Sequence, residues 1–134
     1  MNPGRVLAGQ GAMAAGLKPF SRESRLRTRR QYAHVWDHSR SFVGRYCVLR
    51  TAPATDQHLR LGIVVSRRHS RKAVERNRSR RLLREAYRRL HPALAPVWMI
   101  LIPRRAIKKA RMQDVLRELR SLCREAGILD EQAG

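Results

Sequence analysis

At 134 residues the chain is sized for one domain with a single core, and 30 basic against 10 acidic side chains give it a net charge of +20 and a pI near 11.8. That balance points to nucleic acid or an anionic membrane surface as the partner. No run approaches the roughly 20 apolar residues that a membrane-spanning helix needs, and the longest, residues 97–102, is strand length.

Lys18, Lys72, Lys108 and Lys109 are the only lysines, so Arg carries the charge. Its planar fork fits phosphate oxygens and guanine edges and stacks on bases, which suits RNA. GC-rich coding would also favour Arg over Lys, but it would not create the charge itself. Residues 1–17 contain Gly4, Gly9, Gly11 and Gly16 without periodicity and read as a disordered extension, with Met13 as an alternative start. Arg5 is the only charge before a Gly/Ala-rich stretch too polar for a secretory signal. Cys47 and Cys123 lie far apart in apolar patterns, as buried thiols rather than a disulfide or a metal pair. The reading is a soluble, cytoplasmic, basic protein.

From Phe20 the character changes. Thr28 is placed to cap a short helix over residues 29–38, in which Tyr32, Val35 and Trp36 share one face. Three extended segments follow at 41–43, 46–51 and 59–66, the last two separated by a turn-rich linker, residues 52–57, of hairpin-like length. A helix over 72–90 stops before Pro92. The strand VWMILI ends at Pro103, and a helix over 112–126 is closed by Gly127. The predicted order is α-β-β-β-α-β-α, an α/β (α+β) fold of one sheet covered by helices. The domain spans residues 18–127, and 128–134 read as a tail.

The long helix carries the functional signal. Eleven of the 23 residues from 67 to 89 are Lys or Arg, and only Glu75 and Glu85 are acidic. At about 100° per residue Leu82, Leu83, Ala86 and Leu90 fall on one side. Arg80, Arg81, Arg84 and Arg88 fall opposite with Asn77, and Arg76 and Arg78 flank the two edges. A solvated helix face ordinarily mixes charge signs; this one does not, and it reads as a polyanion-binding comb. Arg67, Arg68 and Arg71, with His69 and Ser70, form the turn entering the helix, where free backbone N–H groups favour anions. His69 has no nucleophile or carboxylate placed beside it in sequence and reads as a turn residue.

The segments GIVVSRR and KAVERNRSRRLLREAYR resemble the protein subunit of bacterial ribonuclease P, whose helix opens on Arg-Asn-Arg after a strand ending in Ser-basic-basic. SRLRTRRQYAHVW and PVWMILIPRRA resemble further segments of that family, so the likeness covers residues 24–126. The resemblance implies a two-layer sandwich, like the second domain of a small-subunit ribosomal protein, with a four-stranded sheet and a left-handed βαβ crossover. It implies a catalytic-RNA surface at Arg67, Arg68, Arg71, Lys72, Arg76, Asn77, Arg78, Arg80, Arg81 and Arg84. It also implies a cleft for the single-stranded 5′ leader of precursor tRNA, with Tyr32 and Trp36 as a stacking platform; both are alternatively core residues. Two positions depart from the family pattern. Arg50 stands where an aromatic is common, so leader contact there would be ionic. Ser79 stands on the buried stripe where an aliphatic residue is usual.

No catalytic residue and no protein metal site is expected. Glu75 and Glu85 sit among cations that favour their ionised forms, and no Cys/His or carboxylate cluster has ligand spacing. The resemblance implies that cleavage, with Mg²⁺, belongs to an RNA partner, with one protein per RNA. A general RNA-binding or ribosome-associated protein is the rival reading. A DNA-binding module would need base-reading residues that this comb lacks. A membrane-surface role would need the apolar helix side that the sheet requires.

Overall fold

The computed structural model describes residues 24–130; the predicted extension at 1–17 and the tail from 131 onward lie outside them. Thr28 caps the first helix as predicted. Its hydroxyl accepts from Gln31 N at 3.1 Å while the Gln31 side chain accepts from Thr28 N at 3.1 Å, a reciprocal capping box. Helix α1, Arg29–His38, follows. The strands are β1 (Arg40–Val43), β2 (Cys47–Pro53), β3 (Arg60–Ile63) and β4 (Val97–Pro103). Helix α2 (Ala73–Leu90) joins β3 to β4, and α3 (Met112–Glu125) closes the domain in the predicted order.

The four-stranded sheet runs β1-β2-β4-β3, with β3 parallel to β4 and the other pairs antiparallel. This corrects the linker reading, because β2 and β3 are not a hairpin and β4 lies between them. Asp56 explains why. Its carboxylate accepts from His58 N at 3.0 Å, from the Trp98 indole at 2.9 Å and from Arg60 Nε at 2.6 Å, with Gln57 in the left-handed region at φ 63°. The turn is thereby tied to β4 rather than folded back on β2. Burial alone would raise the Asp56 pKa, but the three donors and the Arg60 charge bring it below the usual carboxylate value. β3 also ends at Ile63 rather than at Ser66. Val64 N still reaches Leu101 O at 3.0 Å, after which the chain turns and His69 N bonds Ser66 O at 3.1 Å.

Register sorts the core onto two faces. Leu49 opposite Leu101 and Thr51 opposite Met99 point to the side carrying α2 and α3, where Leu61, Leu83, Ala86, Tyr87, Val115 and Leu119 complete the main core. Ala52 opposite Trp98, with Ile100, points the other way and packs under Val35 of α1 and Leu26. The sheet with α2 and α3 makes the predicted sandwich, and α1 adds partial cover to the opposite face. Because β4 is covered on both sides, its apolar residues run without alternation.

Three local devices seal the domain. The outer edge of β3 is covered by the N-terminal segment, with Leu26 N bonded to Leu61 O at 3.0 Å. Glu118 of α3 accepts from three successive backbone N–H groups in the β1–β2 turn, Arg45 at 2.5 Å, Tyr46 at 2.8 Å and Cys47 at 3.0 Å. Its carboxylate occupies the space that any side chain at Gly44 would need. At the C-terminus Gly127, at φ 76°, closes α3 in a Schellman motif, with Gly127 N on Arg124 O and Ile128 N on Cys123 O, both at 3.0 Å. The tail boundary therefore moves outward. Ile128 is buried, Leu129 pairs with Leu94, and residues 128–130 belong to the domain.

Candidate nucleic-acid interface

Helix α2 buries Ser79, Leu83, Ala86, Tyr87 and Leu90 against the sheet and α3, leaving Leu82 partly buried. Tyr87 joins the predicted stripe and is fully buried. The polar residue on that stripe is not stranded, since Ser79 Oγ lies 2.8 Å from His69 Nε2. Burial and the nearby Lys108 charge push the His69 pKa down, against a smaller opposing effect of Glu75. A neutral His69 thus pins the entry turn to the helix.

That turn opens on a broad basin of about 890 Å³, lined by Arg67, Arg68, Arg71, Lys72 and Arg76. Arg105 and Lys108 complete it from the turn after β4. Sequence reasoning missed these two, although the basic pairs 104–105 and 108–109 directly after a strand are a legible signal. Glu75 is the one acidic side chain in the lining. It accepts from Ser70 Oγ at 2.5 Å and lies 3.8 Å from Lys108 Nζ. The Ser70 bond, then the surrounding cations, outweigh desolvation and hold its carboxyl below the usual value. Arg76 both lines the basin and braces it, with Nη1 donating to Ser70 O at 2.9 Å and Arg71 O at 3.0 Å.

The remaining guanidinium groups divide by edge. Arg78 points to the turn after β4, where Nη1 donates to Ile107 O (3.2 Å) and Lys108 O (3.1 Å) and Nη2 to Ala110 O (2.7 Å). It holds in place the same turn that supplies Arg105 and Lys108. On the other edge Arg80 and Arg84 line a small depression of about 140 Å³ together with Tyr32, Gly62 and Arg25. The structure thus brings these two residues of the predicted catalytic-RNA group to the aromatic cleft. Asn77 accepts from Arg80 Nη1 at 3.2 Å. Arg81 stands on the exposed crest, and its side chain makes no hydrogen bond among the described residues.

The cleft itself depends on a glycine. A Cβ at Gly62 would come within 2.7 Å of the Tyr32 ring and hydroxyl, so only glycine lets Tyr32 lie against β3. Tyr32 is half-buried there, and burial raises its pKa. Trp36, a turn further along α1, is 40% exposed and lies outside that depression. Arg50 sits 5.0 Å from the Trp36 ring centroid, a cation–π distance, and its Nε donates to Ser39 Oγ at 2.9 Å. Of the shared α1 face, Val35 serves the core, Tyr32 serves core and cleft, and Trp36 is turned outward.

Among the described residues no group of three His, Cys, Asp or Glu side chains is placed to hold a metal ion. Cys47 and Cys123 are free, buried thiols, and burial pushes Cys123 up to about 12. Among the same residues no helix is long and apolar enough to cross a membrane.

Comparison with known proteins converges on one group. The family model described as Ribonuclease P matches residues 20–127. The ribonuclease P protein component of Exiguobacterium sp. is 32% identical over 113 residues, covering 84% of this chain and 98% of the relative. That of Xanthomonas oryzae pv. oryzae is 38% identical over 110 residues, 82% of this chain and 75% of the relative. The solved RNase P protein of Thermotoga maritima superposes with a TM-score of 0.67 at 28% identity, covering 76% of this chain and 96% of that one. The Staphylococcus aureus RNase P protein gives 0.70 at 24% identity, covering 78% and 96%, and shares the fold. With its basic helix, its cleft and a family match over residues 20–127, the chain belongs to the ribonuclease P protein family.

Proposed function

We propose that this chain is the protein subunit of ribonuclease P in tRNA processing, binding a catalytic RNA through α2 and the single-stranded 5′ leader of precursor tRNA through the α1 cleft. The observation that carries the reading is the placement of two chemically different surfaces on adjoining faces. The α2 crest and the basin offer guanidinium groups to a phosphate backbone, whereas Tyr32 and Trp36 offer ring faces to unpaired bases. Arg80 and Arg84 border both surfaces, so they suit the junction where leader and catalytic RNA would meet.

The chemistry of hydrolysis is assigned to the RNA. Mg²⁺, which the family resemblance implies, does not fit the described side chains. Glu75 is hydrogen-bonded to Ser70 and surrounded by cations, and Mg²⁺ favours clustered oxygen ligands. The protein's part is to screen repulsion between two polyanions and to hold the leader, one protein per RNA, in the cytoplasm. A general RNA-binding protein would share the charge but would have no reason to discriminate leader-bearing from mature tRNA.

The test is a competition between precursor and mature tRNA for the reconstituted complex, with Tyr32→Ala and Trp36→Ala variants. The expected result is a loss of preference for the precursor in both. Preference retained in both variants would overturn the leader assignment, and purified protein that cleaves precursor tRNA alone would overturn the assignment of catalysis.

A further inference from the structure

The entry into α1 carries a one-sided charge of its own. Residues 25–30 read Arg-Leu-Arg-Thr-Arg-Arg, four cations and no acid. Leu26 is buried and its backbone N–H is bonded to β3, which leaves Arg25 and Arg27 exposed on the outer side of the segment. Arg29 and Arg30, the first two residues of α1, are exposed as well. None of these four side chains makes a hydrogen bond or an ion pair among the described residues. Of the acids nearest in sequence or fold, Asp56 is taken by His58 N, Arg60 and Trp98, and Asp37 stands at the other end of α1. Glu23 lies outside the described residues.

The helix dipole works against this arrangement. A helix N-terminus favours anionic side chains, and α1 has none in its first turn. Crowding like charges adds repulsion. Thr28 and Gln31 already make the cap, so the feature is a set of guanidinium groups and not a bare helix pole.

Position selects the ligand. Arg25 lines the same depression as Tyr32. Arg29 precedes Tyr32 by three residues and Trp36 by seven, so the three share one face of α1, with Arg29 roughly 10 Å from Trp36 along the axis. Unpaired bases laid along Trp36 and Tyr32 would place the continuing strand against Arg29 and Arg25. We propose that Arg25, Arg27, Arg29 and Arg30 form a phosphate-backbone track that extends the cleft and holds the leader beyond the bases stacked on Tyr32 and Trp36. This track presupposes the leader site proposed above. It adds a sequence-independent ionic grip to the stacking that the two rings supply.

The test uses the reconstituted complex of full chain and catalytic RNA, with wild type, R27Q/R29Q/R30Q and R27K/R29K/R30K. Arg25 is left in place because it already lines the cleft. Precursor tRNAs carry leaders near the two ends of the roughly 4–16 nucleotides that single-strand sites span, and thermal unfolding is followed in parallel. The glutamine variant should bind the long-leader precursor on the order of tenfold more weakly at physiological salt. Its slope of log K against log salt should be shallower by about 2, the loss of three single-strand phosphate contacts. Short-leader binding should stay near wild type, the lysine variant should keep the wild-type slope, and the thermal midpoint of the glutamine variant should not fall. Unchanged affinity and slope for the long leader in the glutamine variant overturn the track and leave the proposed function standing. An equal loss for both leaders overturns the assignment to the leader, and a lowered thermal midpoint shows that these arginines serve the fold instead. Wild type without any preference for precursor over mature tRNA overturns the proposed leader site, and the track with it.

Discussion

Arg78 and Arg81 stand less than one turn apart on α2 and carry the same guanidinium, yet their surroundings differ completely. Arg78 donates to three backbone carbonyls of the turn after β4. Arg81 is exposed, and its side chain makes no hydrogen bond among the described residues. A charge count along the sequence treats them alike. What the difference teaches is that the comb has an inner edge that braces the neighbouring turn and an exposed crest, and it is the crest that the proposed function assigns to RNA. Arg76 falls between the two, lining the basin while bracing Ser70 O and Arg71 O.

The largest effect that sharpens this comparison is expected at Glu118, the inner-edge counterpart on α3. Glu118→Ala should remove the acceptor of three turn N–H groups and lower unfolding free energy by about 3 kcal/mol, measured by denaturant titration. Next, Arg78→Ala should lower stability by about 2 kcal/mol and loosen the turn bearing Arg105 and Lys108. Arg81→Ala should leave stability within about 0.5 kcal/mol of wild type. If the two Arg variants are equally stable, the distinction between edge and crest fails.

Gly62→Val offers a third and more local break. Its added methyls would push Tyr32 off β3, and precursor preference should fall as in Tyr32→Ala while affinity for the catalytic RNA stays near wild type. Competition binding decides it, and an unchanged preference would show that Tyr32 does not need its seat on Gly62.

The smallest expected effect is on pH. Burial lowers the pKa of His69, helped by the Lys108 charge, and lowers that of His91. In both, the unfolded chain binds more protons than the folded one. Their stabilising effect is therefore complete above the ordinary His value of about 6.5 and is lost as pH falls from there through the folded values. Thermal midpoints should drop between pH 7.5 and pH 5, and His69→Asn should flatten part of that drop.

Much of this architecture was legible in the sequence because local rules decided it. Thr28 announces the start of α1, the Leu83–Ala86–Leu90 spacing announces the buried side of α2, and Gly127 announces the end of α3. The missing part depends on contacts that are distant in sequence. Nothing near Asp56 reveals that Trp98 and Arg60 will hold its turn, so the hairpin reading was natural and wrong. Apolar continuity through Val64 and Val65 hides the end of β3, which the turn at Ser66–His69 sets. Tyr87, outside the predicted apolar side, is buried in the main core with α2 and α3. For the candidate site, the comb and the aromatic pair were visible, and the basic pairs after β4 signalled Arg105 and Lys108, whereas the inward role of Arg78 and the grouping of Arg80 and Arg84 with Tyr32 required the fold.

The most direct test of the central claim pairs two measurements on the same variants, unfolding free energy and the salt dependence of catalytic-RNA binding for wild type, Arg78→Ala and Arg81→Ala. The account predicts that Arg81→Ala keeps its stability while its binding slope falls by about 0.9, one phosphate contact, and that Arg78→Ala loses stability. Arg81→Ala with a wild-type slope, together with Arg78→Ala fully stable but weak in RNA binding, would contradict it.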